Sequence, residues 1–280
     1  MKQLILLICF PLQVVCQNTI GFPDIINYPK QSYKAGLQNW DIKQDKNGIV
    51  YFANNEGLLS FDGKYWNNHP LPNKTNVRSV EIGPANRIYV GGQDELGYFA
   101  PAANGRLLYY SLIEQIAAKD RSFGDVWDIV AFKGNIYFRS PKKIFKFTDR
   151  AVAVFNAPSE WDFLGECNGK LFAHDYAAGL LVFENDIWAP VFTENILPVN
   201  DPVTGIISIQ KDSAIITTLK NGLFLLSDTR IAVLPSVNNQ LFKNERVYAA
   251  TSINKEWIAL ATNNNGIYIT DTKGNIIQSF

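Results

Sequence analysis

The sequence predicts an all-β protein: a β-propeller of four-stranded antiparallel blades, with six blades visible in the chain. Three observations predict it. A glycine recurs at a near-constant interval, an aromatic–aspartate–apolar start is written three times, and helical periodicity is almost absent.

The glycine follows a polar cluster and opens an apolar run. It is Gly57 in NNEGLLSF, Gly97 in QDELGYF, Gly179 in YAAGLLVF, Gly222 in LKNGLFLL and Gly266 in NNNGIYIT; Lys143 of SPKKIFKF fills the same slot. The successive intervals are 40, 46, 36, 43 and 44 residues, which match the ~40–45-residue period of propeller blades. The second signal reads NWDIKQDKNGIVYF at 39–52, VWDIVAFKGNIYF at 126–138 and EWDFLGECNGKLF at 160–172. Each is the first two strands of a blade joined by a polar turn. The one stretch with helical spacing, Leu112–Lys119, falls in the longest interval, where an insertion belongs. A four-stranded hairpin stack cannot bury both faces alone. Radial packing buries each sheet against its neighbours and leaves only short edges.

In chain order, residues 1–16 read as a secretory signal, with one Lys, an apolar stretch from Leu4 to Val15, and Val14 and Cys16 before a cut at Gln17. An uncleaved or Cys16-lipidated anchor is the alternative. Residues 17–38 form a lead segment. Blades are expected near 39–70, 77–112, 126–156, 160–193, 203–235 and 246–280. In the fourth, the strands are placed at Asp162–Gly165, Lys170–His174, Gly179–Phe183 and Trp188–Phe192. The last stretch, IIQSF, reads as an outer strand, and the lead offers no obvious closing strand. The ring is therefore expected to be incomplete, with a closed ring of six as the alternative.

Lys plus Arg and Asp plus Glu number 26 each, so the chain lacks the basic excess of a nucleic-acid binder. After cleavage near Cys16 only Cys167 remains, no intramolecular disulfide can form, and the fold must rest on packing. The mature chain is expected in the periplasm or outside the cell. Membrane attachment would come only from a segment downstream of this sequence or from the retained N-terminus.

Aligned at their first residues, the inner strands carry Trp40, Arg78, Trp127, Trp161, Thr204 and Tyr248 in one column and Asp41, Ser79, Asp128, Asp162, Gly205 and Ala249 in the next. The third column, Ile42, Val80, Ile129, Phe163, Ile206 and Ala250, is apolar and expected in the core. Inner strands of a propeller begin near the central channel. The candidate ligand-binding residues are therefore Trp40, Asp41, Arg78, Trp127, Asp128, Trp161, Asp162 and Tyr248. Flat aromatic faces beside hydrogen-bonding acids suit a small molecule or glycan. In the competing reading the aromatics wedge adjacent blades and the aspartates cap backbone amides.

No catalytic constellation is recognisable, so a non-enzyme is expected, with no cofactor and no metal. His69 and His174 are isolated, and His174-Asp175 reads as a loop pair. Asp45-Lys46-Asn47-Gly48 reads as a hairpin turn, because the later ligands of a calcium loop are missing. Nothing positions Asp94-Glu95 for acid–base work.

NGIVYFANNEGLLSFDGKYW and RIYVGGQDELGYF resemble the blades of the bacterial two-component regulator propeller family, a likeness running over about residues 22–280. In that family extracytoplasmic propellers precede a triple-tyrosine β-sandwich, a transmembrane helix, and a histidine kinase or LuxR-type output. The resemblance implies a sensor region without its transmembrane and output modules, and no site residue carries over from it. The first expectation is thus an extracytoplasmic ligand-sensing propeller of a signal-transduction protein. A scaffold binding its own copies or a partner sensor chain is the alternative, and a propeller enzyme such as a polysaccharide lyase or glycosidase the second.

Overall fold

The computed structural model describes residues 26–192 and 196–280. The expected signal at 1–16 and the first part of the lead lie outside the described residues. Six four-stranded antiparallel sheets, each strand beside the next in chain order, are arranged as blades in a ring. The innermost strands are Asn39–Gln44, Val77–Ile82, Asp128–Phe132, Trp161–Cys167, Val203–Gln210 and Val247–Ser252, and each packs on the innermost strand of the next blade from the first to the sixth.

Local chemistry sets the hairpins. The loops Lys133-Gly134, Asn168-Gly169 and Asn185-Asp186 each have two residues with positive φ. That conformation matches the right-handed strand twist and favours Asn, Asp and Gly. The recurring glycine has a similar cause. Gly57 has φ +132°, and a Cβ there would lie 2.6 Å from the carbonyl oxygen of His69 on the outer strand. Gly266 has φ +71° and faces the Phe280 carbonyl in the same way. Asp45 caps its own turn by accepting the amides of Asn47 and Ile49.

The expected helical stretch at 112–119 forms two short 3₁₀ turns, Ile113–Gln115 and Ala118–Asp120, rather than an α-helix. Leu112 and Ile116 are buried in the core between blades two and three, so the periodic residues serve packing in a loop. The Asp94 carboxylate pins that insertion by accepting the amides of Phe123 and Gly124, and Glu95 accepts the hydroxyls of Tyr109 and Ser111. An α-helix that the periodicity does not announce, Asn239–Glu245, joins blades five and six and inserts Phe242, fully buried, into their shared core.

The core is divided among the junctions between blades. Leu58, Ala53, Val80 and Val90 lie between blades one and two. Tyr89, Ile129 and Phe138 lie between two and three, and Tyr137, Leu164 and Leu181 between three and four. Phe172, Val203 and Phe224 pack between four and five, and Ile215, Leu223 and Leu260 between five and six. Each such aliphatic or aromatic side chain contributes about 1.5–3 kcal/mol relative to exposure. Among the described residues no apolar cluster joins blade six to blade one.

Candidate functional site at the channel mouth

The eight residues singled out from the sequence line one central cavity of about 800 Å³, open at the mouth, together with Lys43, Glu81, Arg139, Glu160, Tyr176 and Thr204. A repeated backbone irregularity places them. The ladder between the first two strands shifts by one residue at the start of five blades, between Asn39 and Asp41, Val77 and Ser79, Trp161 and Phe163, Val203 and Gly205, and Val247 and Ala249. Such a bulge leaves one residue unpaired and re-aims its side chain. The bulged residues are Trp40, Arg78, Asp162, Thr204 and Tyr248; in blade three Trp127 precedes Asp128, the partner of Arg139.

This register corrects the alignment of the fourth blade by one residue. Asp162, not Trp161, is the counterpart of Trp40 and Trp127, and Phe163 stands where Asp41 and Asp128 stand. The Trp161 ring is 1 % exposed and packs on Trp188 at 5.7 Å, so it presents no open stacking face. The register of the apolar column shifts with it: Leu164, 3 % exposed, packs in the core between blades three and four, while Phe163, partly buried, packs on the core between blades four and five. The first member of that column departs altogether, for Ile42 is 57 % exposed.

On blades one to three the mouth is built around Arg78. Its guanidinium carbon lies 4.3 Å from the Trp40 ring and 5.1 Å from the Trp127 ring, and the two rings meet edge to face at 5.6 Å. Nη1 donates to Asn55 Oδ1, which also accepts the Trp40 indole N–H at 2.7 Å, and Nε lies 3.4 Å from Asp125 Oδ2. The arginine therefore occupies ring surface on both tryptophans. A cation held this way, partly desolvated, contributes on the order of 1–2 kcal/mol per ring.

The aspartates join blades. Asp41 Oδ2 accepts the amide of Val80 on blade two at 3.0 Å. Asp128 Oδ2 accepts both Arg139 Nε at 2.7 Å and the amide of Leu164 on blade four at 2.9 Å. Asp162 Oδ2 accepts the amide of Val203 on blade five at 3.2 Å, while its Oδ1 lies 2.7 Å from Nδ1 of His174. Burial pushes the Asp41 and Asp162 carboxyls above the ordinary carboxylate range, against the amides and cations that hold them down.

Two polar partners of the mouth aspartates escape a first reading of the sequence. Arg139 and His174 stand near the ends of the second strands of blades three and four, Arg139 opposite Asp128 and His174 opposite Phe163, the residue after the bulge of blade four. His174 is therefore a strand residue, 1 % exposed, and not half of a loop pair. Its neighbour Asp175 accepts the amides of Ser159, Glu160, Ala177 and Ala178 and organises the entry to blade four. In both blades a polar residue follows an otherwise apolar second strand (NIYFR, KLFAH), and that is the signal by which they could be found.

The cations of the cavity are already paired: Arg78 with Asp125, Arg139 with Asp128, and Lys43 with Glu81 at 3.0 Å. Tyr248, 51 % exposed, supplies an open aromatic surface at the mouth, with Tyr176 and Thr204 adding hydroxyls.

The ring and its central cavity define a propeller of six four-stranded blades. No protein-family model matches the chain, and no curated protein matches it in sequence. Solved structures do match. The extracellular domain of BT4673 from B. thetaiotaomicron, described as a hybrid two component system, is similar at TM-score 0.67 and 15 % identity, over 88 % of this chain and 33 % of that one. Virginiamycin B lyase from Staphylococcus aureus is similar at TM-score 0.60 and 14 % identity, over 83 % and 84 % of the two chains. The WD40 β-propeller domain of Doa1 is similar at 0.64 and 15 %, over 89 % and 84 %. This chain spans about one third of the BT4673 domain, and identities this low establish the propeller fold. Among the described residues no helix is long and apolar enough to cross a membrane.

Proposed function

We propose that this chain is an extracytoplasmic ligand-sensing propeller of a signal-transduction protein, and that its channel mouth takes a small, uncharged, hydroxyl-rich molecule such as a glycan fragment. The observation that carries this reading is the pairing state of the mouth. Every cation lining it is matched by a carboxylate within 3.4 Å, so an anionic ligand would have to break an existing pair. Hydroxyl groups can instead use the remaining acceptors and the exposed ring of Tyr248. The likeness to the BT4673 extracellular domain supports the sensory role, and the signal-like N-terminal sequence supports the location.

The test is a thermal-shift and calorimetric screen of the purified chain against neutral, acidic and amino oligosaccharides. Neutral members should raise the melting temperature, and Tyr248→Ala should weaken their binding at least about tenfold, a loss of roughly 1.4 kcal/mol, with the unliganded melt unchanged. Binding confined to charged members, or indifferent to Tyr248, would overturn the assignment.

A further inference from the structure

At the end of the ring opposite the channel mouth, a second cavity of about 490 Å³ opens between blades four and five, within the ~300–1,000 Å³ range of small-molecule sites. One short side chain opens it. Near the start of each second strand one residue faces the preceding blade: Ile88, Ile136, Leu171, Ala214 and Ile258 in blades two to six. The five are equivalent, because each pairs with the residue three beyond Ser79, Asp128, Phe163, Gly205 or Ala249 on its first strand. Four blades place a branched aliphatic chain there, and blade five places a methyl group.

The crevice is apolar in its depth and charged at its rim. Phe172 and Val182, paired across blade four, face Ala214 and Leu226, paired across blade five. The free thiol of Cys167, 4 % exposed, lines the end nearest the channel axis. Asn168 fixes the width there: its Nδ2 donates to the carbonyls of Gln210 and Ser213, and its Oδ1 accepts the Ser208 hydroxyl. Side chains alternate along a strand, so the next residues outward on the same faces are Lys170 and Glu184 on blade four and Asp212 and Asp228 on blade five. All four are exposed, and neither they nor the adjacent Lys211 form an ion pair among the described residues. Charges of both signs thus stand free over an apolar floor.

We propose that this crevice is a second binding site, which takes a free apolar amino acid. The side chain of the ligand lies over Ala214, against Phe172, Val182 and Leu226, in the space that a branched aliphatic residue fills at the other junctions. Its carboxylate faces Lys170 and Lys211, and its ammonium group faces Glu184, Asp212 and Asp228. A zwitterion is the class that uses both signs at once. A plain hydrocarbon uses neither, and an amine or an acid alone leaves one set of rim charges without a partner. No residue lines both this crevice and the channel mouth, so the assignment is independent of the reading of the mouth.

The test is titration calorimetry of the purified chain with L-leucine, with isoamylamine, which lacks its carboxylate, and with isocaproate, which lacks its ammonium group. L-Leucine should bind saturably at a single site, at least about tenfold tighter than either analogue. Ala214→Ile fills the crevice with the residue type of the other junctions and should abolish that binding while the thermal melt holds or rises. Lys170→Glu, a change at an exposed position, should weaken L-leucine at least about tenfold and leave isoamylamine unweakened. Tyr248→Ala at the mouth should alter none of these affinities. Absence of saturable L-leucine binding, an analogue that binds as tightly, or binding that survives Ala214→Ile in a folded protein overturns the proposal. So does binding lost with Tyr248→Ala, which would place the amino acid at the mouth. If Ala214→Ile does not fold, Lys170→Glu decides, and an unchanged affinity for L-leucine in that variant overturns the proposal.

Discussion

Nδ1 of His174 lies 2.7 Å from Oδ1 of Asp162, with both side chains almost wholly removed from solvent, and the other carboxylate oxygen of Asp162 holds the amide of Val203 in the next blade. One buried pair thus fastens the second strand of blade four, its first strand, and the first strand of blade five. Replacing His174 by alanine leaves Asp162 without its side-chain partner and opens a cavity. The expected cost is about 3 kcal/mol or more, read as a lowered urea midpoint with an unchanged slope. A cost below about 1 kcal/mol would show that the pair fastens nothing.

Arg78 predicts a different signature. Arg78→Lys keeps the charge but loses the planar stacking on Trp40 and Trp127 and the bond to Asn55. It should destabilise by about 1–3 kcal/mol, close to the effect of Arg78→Met. Tryptophan fluorescence should report the change directly, since two indoles lose the guanidinium plane that lies against them. If lysine restores full stability, charge pairing with Asp125 alone would account for the residue.

The pH dependence carries opposite signs from two sets of carboxyls. Burial raises Asp41 and Asp162 in the folded state, so the folded chain binds protons that the unfolded chain has released. Their contribution is present at acid pH and is lost as pH rises through the raised values. Burial also acts on Asp175, but amides from Ala178, Ser159 and Ala177 outweigh it and hold that carboxyl low. Its contribution is present above the ordinary carboxylate range and disappears as pH falls below it. Asp41→Asn should therefore flatten the decline of stability from weakly acid to neutral pH, and Asp175→Asn should remove part of the acid-side loss. Chemical denaturation at a series of pH values measures both.

Gly57→Ala should be far more damaging than Gly105→Ala. Both glycines have positive φ, but a methyl group at 105 meets open space whereas one at 57 meets the outer-strand backbone. Gly105→Ala should cost about 1 kcal/mol for the left-handed backbone alone; Gly57→Ala should exceed about 3 kcal/mol or abolish folding. Equal costs would show that conformation, rather than the close approach of His69, selects glycine there.

Much of the architecture was legible because hairpins advertise themselves locally. Glycine and asparagine mark turns whose geometry excludes most other residues, and their spacing repeats along the chain. The blade register was less so. EWDF and NWDI look alike as text, and only the pairing of Trp161 with Asp175 and of Phe163 with His174 reveals the one-residue offset in blade four. Arg139 and His174 were obscured for a related reason: their partners lie 11 and 12 residues away on another strand, where no local period points to them. The helix Asn239–Glu245 is too short for its periodicity to stand out, and it forms because Phe242 has a core to enter.

The bulges have one last consequence. A residue that takes no rung of the ladder can be exchanged without shifting strand register, but Trp40 and Arg78 are tied to each other, Asp162 to the next blade and Thr204 to Thr217, so of the five bulge positions it is the half-exposed Tyr248 that behaves as a socket on a fixed frame. A substitution there would change the chemistry of the channel mouth while the strands around it keep their places.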